Sequence, residues 1–255
     1  MARFTETLEA PRSIAPIHEP PPSAVELSSS LLERAKRCDG TRASLDAVAH
    51  EASFLRSIEI PRGDRARLAF WLNVYNALTR HAVYAYEARG SLLSHRAIFE
   101  RAAYTVAGHR CSLDDIEHGI LRKNARKPLA IARPFSSDDP RIAWGPSSLD
   151  PKVHFALNCG AKSCPPVRAY REETVERELR LASTDYFASE CVVDRRKLRV
   201  ELPFLMLLYW GDFGGRDGRL SHALAHLERS DALWLAEHAA RVKLRYRGYD
   251  WTIVR

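Results

Sequence analysis

The chain has 255 residues, 45% apolar and 28% charged, enough apolar material for a full hydrophobic core and against a wholly disordered polypeptide. Its 39 Lys and Arg against 32 Asp and Glu give a formal net charge of +7, but the basic residues are scattered among acidic ones, with no long basic run and no interleaved aromatics, so no nucleic-acid partner is expected. No apolar run approaches the ~20 residues of a membrane helix, so no membrane span is expected.

The stretch Met1-Ala2-Arg3-Phe4-Thr5-Glu6 has no apolar signal region, and a cytoplasmic location is expected. Five cysteines, an odd number, suggest no disulfide framework. Residues 1–22 hold five of the 14 prolines (Pro11, Pro16, Pro20, Pro21 and Pro22) and read as a mobile arm, dispensable for folding. Residues 23–255 read as one domain.

The pattern from Ser23 through Leu31, Leu32 and Ala35 predicts a helix ending near Asp39-Gly40. A second helix is predicted over Ala43–Ile58, and Pro61-Arg62-Gly63-Asp64 is a turn. The next helix, Arg65 to about Glu87, is the most apolar in the chain. On a helical projection Trp71, Val74, Tyr75, Leu78 and Ala82 share one side; Asn73, Asn76 and Arg80 share another. Two amides on a largely apolar helix need specific partners, whether a substrate or neighbouring backbone, because an unpaired buried amide costs roughly 1–3 kcal/mol.

Tyr104–Ala107 and Arg110–Leu113, joined by Gly108-His109, predict a hairpin. Ser112 suits the N-cap of a helix from Leu113 to Arg122, with Asp114 and Asp115 in its first turn. On a 3.6-residue projection Glu117 falls within the apolar face of Leu113, Ile116, Ile120 and Leu121, and His118 on its flank. A carboxylate there must be paired, hydrogen-bonded or neutral. Residues 123–150 read as a long irregular connection, of the kind that forms lids or binding loops.

Then comes the stretch that carries chemistry, Val153-His154-Phe155-Ala156-Leu157-Asn158-Cys159-Gly160-Ala161-Lys162-Ser163-Cys164-Pro165-Pro166. Its alternation predicts a strand with Val153, Phe155, Leu157 and Cys159 facing the core and His154 and Asn158 on the other surface. The loop after Gly160 holds Cys164 beside Lys162. The plainer reading is a buried strand and an ordinary turn. Beyond it, a helix from Thr174 to about Ala188, a hairpin over residues 191–200, an apolar Pro203–Trp210, a helix from His222 to His238 and two closing strands, Val242–Tyr246 and Asp250–Val254, are predicted. The fold class expected is α+β: a small, mostly antiparallel sheet packed against several helices, with the Asn-bearing helix at the centre.

Four segments together, Ala69-Phe70-Trp71-Leu72-Asn73-Val74-Tyr75-Asn76-Ala77-Leu78, Ser112–Arg122, His154–Pro166 and Tyr249-Asp250-Trp251, resemble the DUF547 family, in its order, over roughly Val48 to Arg255. Trp210-x-Asp212-Phe213 is also similar to that family. The resemblance implies no settled activity. It does imply occurrence beside glutaredoxin-like or signalling domains, which suits a redox-linked enzyme or a scaffold.

Three functions fit these residues. The first is a thiol-dependent hydrolase or acyl or amide transferase acting on a small molecule or peptide, with no cofactor. Cys164 would be the nucleophile, His154 its base, Glu117 the group that orients the base and Asn73 an oxyanion donor. Asn76, Asn158, His118, Arg80 and Cys159 would face the substrate. The order of His before Cys departs from papain-like and transglutaminase-like enzymes. The second is a metal or redox site: Cys159, Cys164, His154 and His118 are zinc-ligand types, and the two cysteines alone suit redox chemistry although their spacing is not Cys-x2-Cys. The third is an interaction module with a protein partner, its polar cluster serving only the fold.

Overall fold

A computed structural model describes residues 6–10 and 23–255. The chain divides into two compact units. The first takes the chain up to Leu149, then Leu157–Val175 and Trp251–Arg255; the second takes Asp150–Ala156 and Glu176–Asp250.

In the first unit, α1 (Ala24–Lys36) starts at Ser23, whose hydroxyl accepts from the Glu26 amide while the Glu26 carboxylate accepts from the Ser23 amide. Helix α2 (Arg42–Ser53) is capped by Thr41 and runs into a 3-10 turn, Phe54–Ser57. Helix α3 (Asp64–Ala85) is the core element, with Phe70, Trp71, Leu72, Tyr75 and Leu78 almost wholly buried. A short helix α4 (Ile98–Arg101) leads into the antiparallel hairpin β1 (Ala103–Val106) and β2 (His109–Ser112), which is the hairpin expected.

Of the arm expected to be mobile through residue 22, residues 6–10 are docked. Over residues 6–10, the Leu8 amide donates to Ala103 O at 2.9 Å and the Ala10 amide to Ala49 O at 3.0 Å. Glu9 is buried and accepts from Arg56 and from the Thr105 amide. Residues 1–5 and 11–22, with the five prolines, lie outside the described residues.

In the second unit, α5 (Val175–Glu190) precedes a three-stranded sheet of β3 (Val192–Asp194), β4 (Arg199–Leu202) and β5 (Lys243–Tyr246), antiparallel between β3 and β4 and parallel between β4 and β5. Between β4 and β5 lie the short α6 (Leu205–Leu208), α7 (Gly215–His226) and α8 (Arg229–His238), so the single helix predicted up to His238 is broken near Leu227. Phe155, Phe187, Val200, Leu202, Met206, Phe213 and Leu235 form this unit's core. Of the last two predicted strands only β5 forms; Thr252 and Ile253 make isolated bridges, to Ser91 and Ala161. The fold is α+β, as expected: short, mostly antiparallel strands among several helices. Among the described residues, no helix is long and apolar enough to cross a membrane.

Candidate functional site

The strand expected over residues 153–159 does not form. Asp150 caps a 3-10 helix, Pro151–Phe155, accepting from the Lys152 amide, with Pro151 in the first turn. Val153, His154 and Phe155 are consecutively buried, as a helical turn allows and a two-faced strand does not. The Asp-Pro pair was the signal that outweighed the alternation. With the strand goes the parity argument that turned Cys159 to the core: Cys159 and Cys164 are both half-buried.

What does form, in the first unit, is a closed loop from Asn158 to Pro165. The Asn158 side chain closes it: its Oδ1 accepts from the Gly160 amide at 2.8 Å and its Nδ2 donates to Pro165 O at 2.7 Å. Gly160 takes φ +89°, a conformation that suits glycine. The loop is tied to α3 by the Asn158 amide, which donates to Asn76 Oδ1 at 2.8 Å. The C-terminal segment holds its far side, the Lys162 amide donating to Thr252 O and the Val254 amide to Gly160 O. The result brings two thiols together. Cys159 Sγ and Cys164 Sγ lie 2.6 Å apart, and the Cys159 amide donates to Cys164 Sγ at 3.0 Å. Burial pushes the thiols of Cys111 and Cys191 up to about 12.

Asn73, expected to serve an oxyanion, is a clamp. Its Nδ2 donates to Tyr170 O at 2.8 Å and to Ser28 Oγ at 3.2 Å, and its Oδ1 accepts from the Tyr170 amide at 2.8 Å. Asn76 and Asn158 hold the thiol loop, as described. Arg80 donates to Tyr84 Oη at 3.2 Å and lies over the Tyr84 ring.

Glu117 and His118 sit in a second cluster of the first unit. The segment Asp115–Leu121 is a π-helix, with Arg122 N bonding Glu117 O and Asn124 N bonding Gly119 O. Ser112 and Asp115 cap it reciprocally. The wider winding explains why His118, a flank residue at 3.6 residues per turn, is buried beside Glu117. Glu117 Oε2 accepts from Tyr75 Oη at 2.9 Å, and its Oε1 lies 3.7 Å from His118. Arg122 donates to His118 Nδ1 at 2.8 Å. Burial pushes the nearby Asp114 carboxyl up to about 6, against the pull of Lys127; at Lys127 itself desolvation loses to that bond and the ammonium is raised. Gly119 is needed here because a Cβ would lie 2.2 Å from the Phe135 ring. The irregular connection beyond is pinned by Asn124, whose amide exchanges two hydrogen bonds with the Phe135 backbone at 3.0 Å each.

His154 belongs to the second unit, where its Nε2 lies 2.8 Å from Asp212 Oδ2. Its ring stacks on Tyr209 at 3.7 Å and tilts against Phe213. Asp212 belongs to the Trp210-x-Asp212-Phe213 pattern, and the fold supplies its partner. The zinc set of Cys159, Cys164, His154 and His118 is not assembled: among the described residues, no three His, Cys, Asp or Glu side chains converge as metal ligands.

The family model described as a protein of unknown function, DUF547, matches residues 62–187. Residues 62–187 are a DUF547 domain. That span contains α3, the π-helix and the thiol loop, whereas the Tyr249-Asp250-Trp251 segment, Asp212 and the docked residues 6–10 lie outside it. No curated protein and no solved structure matches the chain.

Proposed function

We propose that this protein is a thiol-dependent enzyme whose chemistry is dithiol–disulfide exchange at Cys164 and Cys159. The observation that carries the reading is the contact of the two sulfurs at 2.6 Å, with the Cys159 amide on Cys164 Sγ. In the reaction, the Cys164 thiolate attacks one sulfur of a substrate disulfide, forming a Cys164–substrate bond and expelling the other half as a thiolate, which takes a proton. The Cys159 thiolate then attacks Cys164 Sγ and expels the second half. The substrate gains two electrons, the protein is left with a Cys159–Cys164 disulfide, and an external thiol reductant restores it. Under reducing conditions the pair rests as the dithiol.

Acyl transfer is less well supported in the form expected from the sequence. Asn73, its oxyanion donor, spends its amide N–H groups on Tyr170 O and Ser28 Oγ, Asn158 donates to Pro165 O, and Glu117 accepts from Tyr75. One observation favours it as a second reading: His154 is held by Asp212, the carboxylate–imidazole arrangement of a general base.

The test is competitive iodoacetamide labelling at pH ~6.5 with peptide mapping, on the wild type and on His154→Ala. Dithiol exchange predicts that Cys164 labels first among the five thiols, and that labelling it blocks disulfide formation. A Cys164 rate that matches the slowest thiols overturns the reading. A rate that falls more than tenfold in His154→Ala, with disulfide formation absent, moves the assignment to acyl transfer.

A further inference from the structure

A cavity of about 220 Å³ adjoins the thiol loop, lined by Asn76, Thr79, Arg80, Val83, Asn158 and Gly160 among others. At roughly 30 Å³ per water it has room for about seven waters, or for one small organic acid. No acidic residue lines it. Two polar atoms at its wall, Thr79 Oγ1 and Arg80 Nε, are buried and have no hydrogen-bond partner among the described residues. Thr79 is 4% exposed. The Arg80 guanidinium is held in place by Tyr84, through the hydrogen bond at one Nη and the ring beneath it, 4.9 Å away. A buried N–H of a permanent cation left without an acceptor is costly unless something supplies one. Gly160 also lines it, and a Cβ there would lie 3.2 Å from Val83 Cγ2 and 3.8 Å from Thr79 Cγ2.

We propose that this cavity is an oxyanion subsite that anchors the carboxylate of a small substrate, Arg80 Nε and Thr79 Oγ1 being the donors. A single guanidinium and one hydroxyl match a planar monoanion; a phosphate dianion would need further donors. Asn158 and Gly160 belong both to this wall and to the thiol loop, so a bound acid lies against the loop that carries the two sulfurs. The substrate class is therefore a small carboxylate-bearing disulfide. That class rests on the dithiol reading; the anion site does not.

Two measurements on the full chain keep the two claims apart. In the first, propionate, propionamide and inorganic phosphate are added at fixed ionic strength, and Tm is followed for the wild type, Cys159→Ser/Cys164→Ser, Arg80→Gln and Thr79→Val. Propionate should raise Tm in the wild type and in the double cysteine variant, propionamide should not, and Arg80→Gln should lose the shift. If Arg80→Gln does not fold, Thr79→Val should weaken the shift at least threefold. A shift with phosphate but not propionate, or no shift with either, overturns the proposal. In the second, reduced protein reacts with 3,3′-dithiodipropionate or cystamine. The wild type should prefer the anionic disulfide at least tenfold, and Arg80→Gln should cut that preference to under twofold. A propionate shift with no preference between the disulfides leaves the anion site standing and overturns the substrate class.

Discussion

The amide of Cys159 points at the sulfur of Cys164, 3.0 Å away, while the two sulfurs stand 2.6 Å apart. Neither cysteine creates this relationship. Asn158 does, by accepting from Gly160 and donating to Pro165, so that a chain segment with an intervening Gly160 turn closes on itself. Asn158→Ala removes both bonds. It should slow formation of the Cys159–Cys164 disulfide by diamide at least tenfold, because the effective concentration of one thiol at the other falls. Quenched-flow alkylation measures this; an unchanged rate would mean that the loop is held by other contacts.

Asn73 is expected to act on stability and not on chemistry. Asn73→Ala leaves both the Tyr170 amide and the Tyr170 carbonyl without their buried partner. At roughly 1–3 kcal/mol for each of the two lost bonds, the loss is about 2–6 kcal/mol, or a Tm lower by about 4–24 °C. Thermal unfolding checks the size. A variant that kept its Tm and lost thiol reactivity would return Asn73 to the catalytic role expected from the sequence.

Acid should destabilise the protein through its histidines. Burial lowers His81 to about 4 and His222 to about 3. Folded, both stay neutral; unfolded, both take a proton below about pH 6.5. The unfolded state therefore binds more protons, and stability is complete above pH 6.5 and falls as pH drops towards 4. The 2.5-unit gap at His81 is worth about 3 kcal/mol. Urea midpoints between pH 7 and 4.5 should fall steadily, and His81→Gln and His222→Phe should each flatten the fall. A slope untouched by both variants would contradict this assignment.

Local signals were legible in the sequence where they rest on short-range chemistry. The helix start at Ser23, the hairpin at Gly108 and the buried α3 all follow from neighbouring residues. The site was legible as residue types but not as partners. His154 looked like a strand residue because alternation and a capped 3-10 turn compete over a few positions, and Asp150-Pro151 decided it. His118 looked like a flank residue because π winding cannot be seen at 3.6 residues per turn. Asp212 is 58 positions from His154, and only the fold pairs them. Glu9 lay in a Pro-rich region whose composition concealed one buried carboxylate.

The most direct measurement is a glutathione redox titration of the full chain with mass mapping of all five thiols. The dithiol account predicts that Cys159 and Cys164 pass together, reversibly and with two-electron slope, into one intramolecular disulfide, while Cys111 and Cys191, with thiols raised to about 12, stay reduced. Independent labelling of Cys159 and Cys164 at every poise, with glutathione mixed disulfides and no internal bond, would contradict it.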